Sequence, residues 1–398
     1  AEVIKIELPP AGDVTRSLNP FGWFYKEQSP MFMHINPNKY YMALDLHIDI
    51  AQQIFKELAA KSDIIEFNLR PGVTRRWNIG YEQMREVNPG IIYIEKNGFG
   101  QWGLYAEQDR PSNDGAAQAL AGYAWMSSFP GRPPLKQAIW ICDYYGGLMG
   151  EVAVLAALHH RRKTGKGQFI EMSQIENIMR TMGWVWPYQQ MTGKGVEPAG
   201  NRDQCICPAD TFLCADNLLA AIAAPAPDEF KGLCSAMGKP ELAEDPRFKE
   251  HETRLKDENV LAILKIIADW AKTKKADEIE ELAKKHGFAA TRLHNAVDMN
   301  KDPQRRQRDF VKEIDDPMYG KYVEHEFPVM MSKTPPKIRW TVRPVGFDNE
   351  YIMTKILGRN QAQIDELYMH GVLGKWKDQQ GRRPPSGWDG QSGAIIRR

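Results

Sequence analysis

Residues Asp63–Gly103 read DIIEFNLRPGVTRRWNIGYEQMREVNPGIIYIEKNGFGQWG. DIIEFNL is a short strand, stopped by the RPG turn at Arg70–Gly72. GYEQMREVNP reads as a short helix, and GIIYIEKNG as a second strand. Strands alternating with helices at this interval predict a parallel sheet with helices on its faces, an α/β fold.

The alternation continues on both sides. Upstream, Glu2–Leu8 and Tyr40–Leu46 are strand-like, and Pro9-Pro10 ends the first. IDIAQQIFKELAAKS has helical spacing, with Ile48, Ile50, Ile54, Phe55, Leu58 and Ala59 near one face. Downstream of Ser112, NDGAAQALAGYAWM predicts one closely packed helix. Gln137–Gln168 contains a long buried helix whose basic end, His159–Lys163, suits the negative pole of the helix dipole. A TGKG turn and the strand QFIEMS (Gln168–Ser173) follow.

Near Gly195–Asp203 the texture changes. TFLCADNLLAAIAA reads as a hairpin, and charged helices come after it. The expected organisation is an α/β body over 1–198, a smaller α+β domain over 199–330, a return to the body over 331–374, and an extended or mobile tail over 375–398.

Composition narrows the function. The 398 residues carry 52 Lys+Arg against 51 Asp+Glu, a formal net charge of +1, which gives no support to bulk binding of nucleic acid or an anionic membrane. Five cysteines (Cys142, Cys205, Cys207, Cys214, Cys234) have no zinc or disulfide spacing and read as free thiols in a reducing cytosol. The apolar run Val152–Leu158 is too short to span a bilayer, and no secretory signal is visible. The opening AEVIKIELPP reads as a start in mid-domain, with an upstream segment expected.

Several motifs bear on chemistry. GFGQWG (Gly98–Gly103) matches the dinucleotide glycine pattern, but Pro111 lies close behind and no amphipathic helix follows. A loop that lets a ligand approach the backbone is the better reading. HRRKTGKGQ lacks the phosphate-loop spacing and reads as a capped helix end. Arg70, Arg75 and Arg76 beside a post-strand turn suit either a solvated basic face or a grip on phosphate oxygens. Lys39, in NPNKYY, is another such cation. Nine histidines form no metal-binding pair, and no nucleophile elbow is present.

Asp143 is a lone carboxylate in IWICDYYGG. As N-cap of the following helix it would satisfy free backbone donors. The same position keeps a carboxylate ionised, and hence nucleophilic, so the two readings are compatible. Trp125, Phe129, Trp140, Tyr144, Tyr145, Trp184 and Trp186 read as aromatic core packing or, alternatively, as the wall of a site for a bulky acyl group.

In order along the chain, AEVIKIELPPAGD, INPNKYYMALDL, FNLRPGVTRRWNIGYEQMREVNPGIIYIEKNGFGQWGLY and ALHHRRKTGKGQFIEMS resemble the family III CoA-transferases, the group that includes formyl-CoA transferase and carnitine CoA-transferase. The resemblance implies a Rossmann-like large domain with a parallel sheet, built from both chain ends, a smaller α+β domain, and two chains interlocked as rings. The dimer is either a homodimer or a heteromer of related subunits. It implies a cytoplasmic enzyme that moves coenzyme A between a donor thioester and a carboxylic acid, with CoA as substrate, no permanently bound cofactor and no metal. Asp143 falls on the family's nucleophile. Asn68, Leu69, Arg70, Arg76, Lys39, Gly98 and Gly100 fall on the CoA pocket, and Asn113, Tyr144, Tyr145, Gly146 and Gly147 on the acyl site. Backbone N–H groups near Gly146-Gly147 or in the Gly98–Gly103 loop are expected to hold oxyanions. The general look is similar to branches handling benzylsuccinate or phenyllactate, with succinyl-CoA as donor.

There are departures from the family. Its first strand and helix would precede Ala1, its E-R-P is ELP with Leu8 in place of Arg, and formyl-CoA transferase's glycine-rich lid has no counterpart. The racemase branch needs a His where Asn113 stands, and asparagine shuttles no proton. A CoA-ester racemase or isomerase is therefore the second enzymatic reading. A CoA-binding but non-catalytic subunit of a heteromeric transferase is the third.

Overall fold

The computed structural model describes residues 1–390. In chain order the strands are β1 (Val3–Glu7), β2 (Lys39–Ala43), β3 (Ile64–Phe67), β4 (Ile92–Asn97), β5 (Gln168–Ser173), β6 (Ala209–Leu213), β7 (Leu219–Ala223), β8 (Ala289–Arg292), β9 (Val311–Asp316) and β10 (Gly320–His325). β1 pairs with β2 in parallel, and β3–β4–β5 form a second parallel sheet. β6–β7–β8 are antiparallel, with β6 and β7 the expected hairpin, and β9–β10 form a separate antiparallel pair. The mixed α/β class is as expected, but the expected parallel sheet is divided into two ladders. Alternation of strands with helices points to parallel strands, not to which strands share hydrogen bonds.

The chain divides into two compact units. One comprises Ala1–Pro111, Gly147–Ser173 and Asp302–Arg398; the other comprises Ser112–Gly146 and Gln174–Lys301. Both chain ends therefore belong to the first unit. The second unit starts well before the expected boundary at 199, and β9–β10 belong to the first.

In the first unit, helix Asp49–Ala59 buries Ala51, Ile54, Phe55 and Leu58, an apolar stripe at helical spacing. Ile50, expected on that face, is 53% exposed, and Ala51 takes its place. These side chains join Met42 and Leu44 of β2, Ile65 of β3, Tyr93 of β4, and Ile352, Ile364 and Leu373 of the returning C-terminal segment in one core. Each such buried side chain contributes about 1.5–3 kcal/mol. The return also closes the outer edge of β2. Asp348 Oδ2 accepts the Tyr41 N–H, Asn349 Oδ1 accepts the Ala43 N–H, both at 2.8 Å, and Gly374 donates to Ala43 O.

The 24-residue helix Ile141–Thr164 ends in Arg161, Arg162 and Lys163. Arg161 reaches Asp63 Oδ1 at 2.7 Å and Gly90 O at 3.2 Å, which ties the helix end to the start of β3 and the approach to β4. In the turn that follows, a Cβ on Gly167 would lie 1.8 Å from Ile91 O, so only glycine lets the chain pass there.

The tail is extended but anchored through Gly390. Gly381 donates to Glu27 O, Arg382 Nε to Ala11 O, and Arg383 pairs with Glu27 at 3.0 Å. These bonds and the Trp388–Phe347 ring contact accompany the extended course of the described part of the tail. The rest of that tail, 391–398, lies outside the described residues. Beneath it, Arg16 and Glu7 form a fully buried ion pair at 3.0 Å, and Arg16 also donates to Gly381 O and Arg343 O.

The second unit is α+β. Its core joins Phe212 and Ile222 of the hairpin to Phe230, Ile263, Ile267 and Ile279 of the surrounding helices. The segment expected to be one helix after Ser112 is two, Asp114–Leu120 and Tyr123–Met126, broken at Gly122 with φ 79°.

Candidate active site

Asp143 lies in the first turn of helix Ile141–Thr164 and is exposed. It is not the cap. The helix begins at Ile141, and Trp140 O accepts the Tyr144 N–H at 3.0 Å. The capping acceptor comes from elsewhere. Asp114, 4% exposed, accepts the Cys142 N–H on Oδ1 at 2.8 Å, satisfying one of the helix's free amides. Its Oδ2 accepts Gln118 Nε2 at 2.6 Å, and the fully buried Gln118 returns its Oε1 to the Gln137 N–H at 2.8 Å. The backbone entering the helix is thus fixed at Gln137 and Cys142, immediately before Asp143.

The Asp143 carboxylate itself is bound. Gln174 Nε2 donates to Asp143 Oδ1. Gln174 opens the helix Gln174–Met179, which is seated by the buried Ile175 and Ile178. Three residues on, Asn177 Nδ2 lies 3.8 Å from the place a Cβ would occupy on Gly146. A face of this short helix therefore runs along the first turns of the longer one. The neighbouring Cys142 is no rival nucleophile. Burial, together with the Asp114 and Asp143 charges, pushes its thiol up to about 12.

Gly146 and Gly147 are inside the helix, so their N–H groups belong to its ladder and are not offered to an oxyanion. In the glycine loop after β4, Asn97 Oδ1 accepts the Phe99 and Gly100 N–H groups, and Glu171 Oε1 accepts that of Gln101 at 2.6 Å. A Cβ on Gly100, φ 89°, would sit 2.4 Å from that same Glu171 oxygen. The glycine is needed for this internal carboxylate to reach the loop.

Asn68, Leu69 and Arg70 follow the carboxyl end of β3, and Gly98–Gly103 follow that of β4. Carboxyl ends of parallel strands are where ligands bind in open α/β sheets. Arg70, Arg75 and Arg76 are exposed, and Arg70 pairs with Asp109 at 3.2 Å. A Cβ on Gly72 would lie 3.5 Å from Arg76 Nη1 and 3.7 Å from Arg75 Nη2, so two guanidiniums fold over one turn. Lys39 is placed differently. It opens β2, at the amino end of its strand, and donates to Asn36 Oδ1 at 2.8 Å and Ile35 O at 3.2 Å. Burial first, and then Lys5, pull its amine down to about 8.

Asn113 caps helix Asp114–Leu120, accepting the Ala116 N–H at 2.9 Å. The aromatic residues do not form a core. Trp125, Phe129, Tyr144, Trp184 and Trp186 are each at least 41% exposed. Among the described residues no group of three His, Cys, Asp or Glu side chains is placed to hold a metal.

Sequence reasoning missed Asp114, Gln118, Glu171 and Gln174. The available signals were modest: two cap-type residues in succession at Asn113-Asp114, and a polar residue immediately after a strand at Gln174.

The family model for CoA-transferase family III matches residues 1–349. Succinyl-CoA–D-citramalate CoA-transferase of Chloroflexus aurantiacus is 32% identical over 373 residues, 94% of this chain and 91% of that one. The β subunit of succinyl-CoA–L-malate CoA-transferase from the same organism is 30% identical, over 94% and 91% of the two chains. A solved CAIB/BAIF family protein from Brucella suis superposes with a TM-score of 0.75 at 26% identity, covering 89% of this chain and 92% of that one. The chain belongs to CoA-transferase family III, and it is a CoA-transferase.

Proposed function

We propose that this enzyme moves coenzyme A from succinyl-CoA to a small carboxylic acid, with Asp143 as covalent nucleophile. One observation carries the reading: Asp143 stands exposed in the first turn of a long helix, with the Cys142 amide just before it held by Asp114 and one of its own oxygens held by Gln174. The positive pole of the helix favours negative charge in its first turn.

The chemistry balances without a metal or nucleotide. Asp143 Oδ2 attacks the donor thioester carbonyl and expels CoA thiolate, leaving a mixed anhydride. The thiolate attacks Asp143 Cγ, releases succinate and leaves a β-aspartyl-CoA thioester. The acceptor carboxylate displaces the thiolate from Cγ, and the thiolate then takes the acceptor's acyl group, regenerating Asp143. Arg70, Arg75 and Arg76, with Lys39 as a further cation, are the groups for CoA phosphate oxygens. Asn68, Leu69, Gly98 and Gly100 provide the adjoining backbone surface.

The relatives reported above are named for citramalate and malate, both aliphatic. They favour a small dicarboxylate over the aromatic acid expected from sequence. An Asn113 engaged as a helix cap, with no acid–base capacity, disfavours the racemase reading.

Association with a second subunit is part of the proposal. Tyr144, Leu148, Val152 and Leu155 form an exposed apolar stripe along helix Ile141–Thr164, each at least 41% exposed. Taken whole, this helix is long and apolar enough to cross a membrane, by length and composition only, which the Val152–Leu158 run by itself is not. Its Gly150, close to Ile94 and Met172, is seated instead on the β3–β5 sheet. One relative is a subunit of a two-subunit enzyme, so a homodimer and a heteromer are both represented in the proposal.

The test offers succinyl-CoA with malate, citramalate, mesaconate, benzylsuccinate and phenyllactate, read by mass spectrometry. A CoA ester of one of the aliphatic acids is expected. Products only from the aromatic acids, or none from any acid, would overturn the substrate assignment.

A further inference from the structure

We infer that Gln174 is the oxyanion donor for the enzyme's own carboxyl group, an inference that rests on Asp143 being the nucleophile. A carboxylate only accepts hydrogen bonds, so the contact at Asp143 Oδ1 fixes the Gln174 amide with Nε2 toward it. An oxygen that keeps a hydrogen-bond donor is the poorer nucleophile, so the attack is assigned to Oδ2 and the carbonyl role to Oδ1. In the mixed anhydride Oδ2 is the bridging atom and Oδ1 the carbonyl oxygen. When CoA thiolate adds to Cγ, the C–S bond forms and the carbonyl π pair moves onto Oδ1. The negative charge thus develops on the atom that already faces the Gln174 N–H. Collapse re-forms the carbonyl, breaks the Cγ–Oδ2 bond and releases succinate with Oδ2 aboard. The acceptor acid runs the same step in reverse through the same tetrahedral intermediate.

The donor is held for this task. Gln174 is half-buried, and its helix is seated by Ile175 and Ile178. On the other side, the buried Asp114 fixes the Cys142 amide next to the nucleophile. Both ends of the hydrogen bond are therefore anchored within one compact unit, so little reorganisation accompanies the charge. By contrast, attack on the donor thioester places charge on the substrate's own carbonyl oxygen and not on Oδ1, the atom that Gln174 holds. The two half-steps should separate in a variant.

The test follows exchange of isotopically labelled succinate into succinyl-CoA by the full-length chain, which needs no knowledge of the acceptor. Gln174→Met keeps the bulk and removes the donor. Its exchange kcat should fall about 100-fold or more, with KM for succinyl-CoA within about threefold. Rapid quench should show a burst of free CoA thiol, because anhydride forms and its conversion is slow. Gln174→Glu should regain activity as pH falls, since only the protonated carboxyl donates. A Gln174→Met kcat within threefold of wild type, or a loss confined to KM, overturns the inference while Asp143 still traps as an adduct. Absence of exchange in the wild type, or full exchange in Asp143→Ala, overturns the reading beneath it and this inference with it.

Discussion

Asp114 and Cys142, 28 residues apart, meet at 2.8 Å: the buried carboxylate of one holds the backbone N–H of the other, one residue before the candidate nucleophile. Removing Asp114 leaves two buried donors, Cys142 N–H and Gln118 Nε2, without this acceptor. Asp114→Ala should destabilise the chain by about 2 kcal/mol or more. It should also lower kcat more than it raises KM. Thermal unfolding and steady-state exchange kinetics check both.

Arg16 and Glu7 are both buried, so breaking the pair strands a charge. Arg16→Ala should cost about 3–5 kcal/mol, whereas the double change Arg16→Met with Glu7→Gln should recover a large part of that loss. Because Arg16 also holds Gly381 O, the single variant should open the 375–390 arm to proteolysis first.

Gly167→Ala would drive a Cβ to within 1.8 Å of Ile91 O, a backbone atom that cannot rotate away. The turn between helix Ile141–Thr164 and β5 must then shift. The expected result is poor soluble yield or a melting temperature lowered by several degrees, against a near-neutral Gly147→Ala, where nothing lies within 4 Å.

Lys39 carries a pH signature. Burial lowers its folded-state value to about 8, below that of the unfolded chain. Between pH 8 and the ordinary lysine range the unfolded state therefore binds more protons, and stability should rise with pH across that window. Lys39→Met should flatten that rise in an unfolding series from pH 7 to 10. The same deprotonation removes a cation, so CoA affinity in the wild type should weaken as pH passes 8.

Much of the fold was legible because local periodicity carries it. Ile54, Phe55 and Leu58 marked a helix face, and the β6–β7 hairpin and the parallel strands β3, β4 and β5 sit where alternation placed them. What stayed hidden depends on distant partners. Asp143 looked like a cap because Asp114, which supplies the capping acceptor, lies in another segment. The contacts of the tail were not legible because its partners, Ala11 and Glu27, are at the other end of the chain. Residue type alone suggested an aromatic core, yet Trp125, Trp184 and Trp186 are exposed. Of the candidate site, Asp143 was singled out by an ordered series of motifs, while Gln174 was not, since nothing local distinguishes it from any polar helix-starting residue.

The measurement that bears on all of this is chemical trapping at Asp143. The full-length chain is mixed with succinyl-CoA, quenched with hydroxylamine during turnover, and digested for peptide mass spectrometry. Asp143 should be converted to its hydroxamate, only when donor is present, and Asp143→Ala should be inactive and unmodified. CoA transfer that proceeds with Asp143 unmodified, or a hydroxamate formed on a different side chain, would contradict the account.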